Sequence, residues 1–146
     1  MTGAAQPRTA DRVHAALMLA AALGTIAYWT AYFATGAVQT SDDPSYVAFE
    51  NAFPLADAYM TACYVVAAAL LLRGRVGAIA PGIAAGSAMV FLGLMDTLFN
   101  LEHGKYAHMT REMAVETGIN AVCLLFGPFT MIRLWRARGR LDRNAG

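Results

Sequence analysis

Three acidic residues, Asp57, Asp96 and Glu116, each stand inside an otherwise apolar stretch of the chain. A carboxylate in such a setting is costly unless it faces a partner, a wet cavity or a proton. Each also stands in a polar stripe at helical spacing, the last of which begins at Glu112. Thr61 and Tyr64 follow Asp57, Asn100 and His103 follow Asp96, and Asn120 and Cys123 follow Glu116. Residues three or four apart share one face of a helix, so each stripe should turn inward. Tyr28, Trp29 and Tyr32 add an aromatic face from another segment. The chemistry such a set could do is proton transfer. Crowded carboxyl groups cannot all ionise, so at least one is expected to hold its proton, leaving an acid beside a base. Asp96 is the expected acid, with Asp57 or Glu116 as base. Trp29, Tyr28, Tyr32, Thr61, Tyr64, Asn100 and Asn120 are the candidates for ligand contact.

Four apolar segments must carry these residues. The chain has 146 residues, enough for one domain, with 58% hydrophobic and 14% charged residues. Soluble domains carry about 25% charged residues, so lipid is the expected solvent. The spans are placed at about 13–37, 53–72, 76–100 and 112–133. Each reaches the roughly 20 residues that cross a ~30 Å hydrocarbon layer. Pro54 suits a first helical turn, where its missing N–H costs nothing. Pro128 is expected to kink the fourth span. The fold class is therefore all-α, an integral membrane antiparallel four-helix bundle. Residues 11–138 form its single domain, between tails at 1–10 and 139–146 that are expected to be disordered.

Charge sets direction. Nine of the eleven basic residues, Arg8, Arg12, Arg73, Arg75, Arg133, Arg136, Arg138, Arg140 and Arg143, fall on one side of these spans. Only Lys105 and Arg111 fall on the other. The basic side is expected to be cytoplasmic, which puts both termini there and makes the protein a multi-pass component of a cell inner membrane. The span directions then bring Asp57, Asp96 and Glu116 to one level, about a turn below the outer surface. His14 is expected to sample the opposite interface.

Cys63 and Cys123 lie far apart in apolar runs and read as free thiols. The glycines Gly82 and Gly86, with Gly93, form a small face on the third span, expected to pack within the chain. No phosphate loop, nucleotide fingerprint or hydrolase triad is present, so no cofactor, metal ion or nucleic acid is expected. The Tyr28-Trp29 pair, followed by Phe49, Phe53-Pro54-Leu55 and Asp57, resembles the YvaD-type small membrane proteins of bacteria. That resemblance covers roughly residues 25–60 and implies a four-helix membrane topology without an activity. Three functions fit the residues. One is an outer-leaflet pocket for a small lipophilic ligand, as a receptor or an acid–base isomerase or cyclase. The second is a structural or accessory subunit, with a protein partner or as a homodimer. The third is proton-coupled transport. The residues leave open whether the chain is an enzyme.

Overall fold

The computed structural model describes residues 7–143. Within them the chain forms α1 (Thr9–Thr35), α2 (Pro44–Glu50), α3 (Pro54–Leu72), α4 (Ile79–Glu102) and α5 (Arg111–Arg143), with 3₁₀ turns at Val76–Ala78 and Lys105–Ala107. No strand occurs among the described residues. Four segments are long and apolar enough to cross a membrane: α1, α2 together with α3, α4 with its leading turn, and α5. The expected tails fall partly on residues 1–6 and 144–146, outside the described residues. Inside them, helix already begins at Thr9 and continues to Arg143. Pro128 lies within α5 without ending it.

Local chemistry explains the boundaries. α1 stops at Gly36, whose φ of 66° lets its N–H reach back to the Tyr32 carbonyl at 3.2 Å. That left-handed conformation is one that glycine alone adopts without strain. α2 is a short helix inside what the sequence suggested was a loop. Pro44 occupies its first turn, and the Asp43 carboxylate caps it by accepting from the Ser45 N–H at 2.8 Å. Hydrogen bonds from Ser45 hold this exposed carboxyl below its usual range. Gly74, with φ 65°, turns the chain between α3 and α4.

The helices run up and down, and α1 packs on α3, α3 on α4, and α4 on α5. Small residues bring α4 and α5 unusually close. A Cβ added to Gly86 would lie 2.8 Å from the Gly127 carbonyl oxygen, and one added to Gly127 would lie 2.7 Å from that of Gly86. Gly82 faces Leu134 and Gly93 faces Cys123 in the same seam. The small face of α4 is thus covered within the chain, as expected. Large apolar side chains, Leu55, Phe91 and Leu125 among them, point outward instead. That arrangement is the reverse of a water-soluble bundle and matches a lipid-facing surface.

Among the described residues α1 and α5 approach far less than these pairs, with the His14 ring edge-on to Phe126 and Phe129. They are tied at the end where α1 begins and α5 ends. The buried Asp11 carboxylate accepts from Arg140 at 2.9 Å and from Arg133 at 3.2 Å. Arg133 also donates to the Ala10 carbonyl and to His14 Nδ1, the latter at 2.8 Å. Because Arg cannot accept, His14 must carry its proton on Nε2, which meets Thr130 Oγ1 at 3.2 Å. His14 is only 1% exposed, so it is a buried tie rather than the interfacial side chain the sequence suggested. Its polar neighbours on α5 supply what the interface would have supplied.

Candidate functional site

The opposite end gathers the acids. Glu50 at the end of α2, Asp96 near the end of α4 and Glu116 in the second turn of α5 approach so closely that one oxygen from each lies within 4.8 Å of the others. All three are buried. The set differs from the expected one in one member. Asp57, in the first turn of α3, lines the same cavity but stands outside this trio, bound by Trp29 Nε1 at 2.7 Å. Glu50 takes the third place.

Neutral donors surround the carboxylates. Tyr28 donates to Glu50 at 3.3 Å, and Tyr46 donates to Glu116 at 3.1 Å. Thr40 donates to the same Glu116 oxygen. Asn120 donates to Asp96 at 2.6 Å. The Asn100 amide bridges Asp96, at 3.3 Å, and Glu116. Donors to a charged acceptor form the stronger hydrogen bonds, and they offset part of the desolvation cost. The amide NH₂ groups and hydroxyls that ring the trio all point protons at it.

The acids head a cavity of about 750 Å³. Tyr28, Trp29, Thr25 and Gly24 of α1 form one wall, and Gly118, Ile119, Val122 and Phe126 of α5 form the facing one. Met60, Met89, Leu92 and Gly93 make its base. Its lining runs along the seam between α1 and α5, from Leu17 to Trp29 on one and from Val115 to Phe126 on the other. Four carboxylates line it, and among the described residues no Lys, Arg or His does.

The remaining expected ligand contacts separate into two groups. Tyr28, Trp29 and Asn120 line the cavity. Tyr32, Thr61, Tyr64 and Asn100 do not. Tyr32 packs against the Tyr28 and Trp29 rings, and its hydroxyl has no partner among the described residues. Thr61 opens onto a second, shallower groove behind Trp29. Tyr64 is fully buried, donating to Met89 Sδ at 3.1 Å and supporting the base from behind. Asn100, also fully buried, lies behind the acids as their bridge. The polar stripe of α4 ends there, because His103 is exposed and stacks on Phe99.

Glu50, Tyr46 and Thr40 are the site residues that sequence reasoning missed. Their signal was available. Asp43-Pro44 is a helix-start pattern, and it places Tyr46 and Glu50 one turn apart on a single face. No family model matches this chain, and neither does any curated protein or solved structure.

Proposed function

We propose that this chain is a multi-pass membrane protein, with both termini on the cytoplasmic side of an inner membrane, that binds a small lipophilic molecule. Its acidic end lies in the outer leaflet. The observation that carries this reading is a single cavity with apolar walls and a carboxylate-lined head. Binding sites for small molecules combine a mostly apolar lining with a few convergent polar groups. Here the apolar walls receive the body of the ligand, and Asp96, Glu116 and Glu50 receive its polar end. A carboxyl that gives a proton beside a carboxylate that takes one also suits isomerisation or cyclisation. Asp96 fills the first role and Glu116 the second. Asp57, already bonded to Trp29, positions that ring against the ligand.

The test is a comparison of purified protein in lipid nanodiscs with empty nanodiscs, reading co-purified small molecules by mass. The wild-type chain should carry one lipophilic species in excess. Asp96→Asn keeps the shape of the side chain and should lose that species while its thermal unfolding stays cooperative. Retention of nothing by the wild type, or equal retention by the variant, overturns the proposal.

A further inference from the structure

We infer that the ligand is a membrane-dissolved cationic amphiphile, a protonated amine on an apolar body, and that it enters sideways from the bilayer between α1 and α5. This inference rests on the lipophile-binding reading above and names the ligand class for that site.

The charge inventory of the cavity comes first. Glu50, Asp57, Asp96 and Glu116 line it with no basic side chain beside them. Lys105 and Arg111 stand at this end, but neither forms part of the wall, and Lys105 Nζ sits 5.1 Å from the centre of the Tyr46 ring. Contrast the other end of the same seam, where a single buried carboxylate, Asp11, receives two arginines. The chain thus supplies cations where it needs to neutralise a buried acid, and supplies none at the cavity head. An ammonium group offers several N–H donors and a full charge to clustered carboxylate oxygens. The faces of Tyr28 and Trp29 add cation–π attraction. A carboxylate or phosphate head would meet repulsion, and a hydroxyl head would bring one donor without the opposing full charge.

The route follows from packing. Among the described residues, α1 and α5 are joined by the arginine and histidine ties at one end. At the other end the segment carrying Thr40 and Tyr46 reaches Glu116. Between those ties the seam is rimmed by Gly24 on one side and Gly118 on the other, and a Cβ built on either meets nothing within 4 Å. Leu17, Ile119 and Val122 at the same rim are half-exposed apolar side chains. The gap therefore faces the hydrocarbon layer, and the two glycines keep it open.

The experiment uses the full chain in nanodiscs of zwitterionic lipid, carrying Trp135→Phe so that Trp29 is the sole tryptophan reporter. Dodecylamine, dodecanol and dodecanoate are titrated at neutral pH. Dodecylamine should give a saturable change in Trp29 emission at a concentration about tenfold or more below that for dodecanol, with no saturable change for dodecanoate. Gly24→Leu and Gly118→Leu fill open space, so both should unfold at the wild-type temperature or above it yet lose the response. Equal saturation by dodecanol and dodecylamine overturns the cationic assignment and leaves the lipophile site standing. Undiminished responses in both leucine variants overturn the lateral route. The absence of any saturable response overturns the inference and the lipophile-binding reading together.

Discussion

Trp29 is the side chain on which the aromatic wall and the acids meet. Its indole N–H bonds Asp57 across the α1–α3 contact, and its ring packs on Tyr32 and Phe33. Trp29→Phe keeps a ring and removes the donor, leaving a half-buried carboxylate without its partner. The loss expected is about 1–2 kcal/mol of stability, read by denaturant unfolding with the slope unchanged. An unchanged midpoint shows that water already serves Asp57. Asp43 acts further out. Its capping carboxyl is held low, so the cap is present at neutral pH and is lost as the pH falls through that lowered value. Asp43→Ala should therefore quicken amide exchange over residues 45–50 at neutral pH, with little effect on α4. Equal exchange rates in the two proteins would show that the cap does not hold α2.

Helices pair here by close backbone approach, and the glycines give that statement a measurable form. Gly127→Ala places a methyl 2.7 Å from the Gly86 carbonyl, with backbone on both sides. It should cost about 2–3 kcal/mol through separation of α4 from α5. Gly24→Ala meets open space and should be neutral or slightly stabilising, since alanine favours helix. Similar losses in both variants would mean that the seam does not control stability.

Much of this helix arrangement is legible in the sequence. Long apolar runs set the existence of the four helices, because length and hydropathy do not depend on which face is inward. Rotation was legible only where a polar stripe marked it, as for Asp96 with Asn100 and Glu116 with Asn120. On α3 the stripe misled. Thr61 opens onto a separate groove, because a helix apolar nearly all round gives one hydroxyl little say over its angle. Glu50 was hidden for a different reason. A charged residue in a connecting segment reads as solvated, and only the folding of α2 over the bundle end brings it to the acids.

At the level of the whole molecule, the sequence separates charge along the bundle axis, and the structure keeps that separation. The start of α1, the end of α5 and the arginine tie lie at one end and the acid trio at the other. Inserted with its basic end inward, the chain should expose Arg143→Cys to an impermeant thiol reagent only from the cytoplasm. Ser41→Cys should react only from outside, both in a background lacking Cys63 and Cys123. Labelling of the two from the same side would overturn the orientation.

In the membrane placement proposed above, the seam between α1 and α5 would also make the surrounding lipid a component of the proposed binding site. A cavity closed on that side by acyl chain would have no fixed volume or affinity of its own. Both shift with chain length and order, and a short-tailed detergent becomes a competitor inside the cleft. Ligand measurements made in micelles should then report surfactant displacement, and the same chain would answer differently in thick and thin membranes.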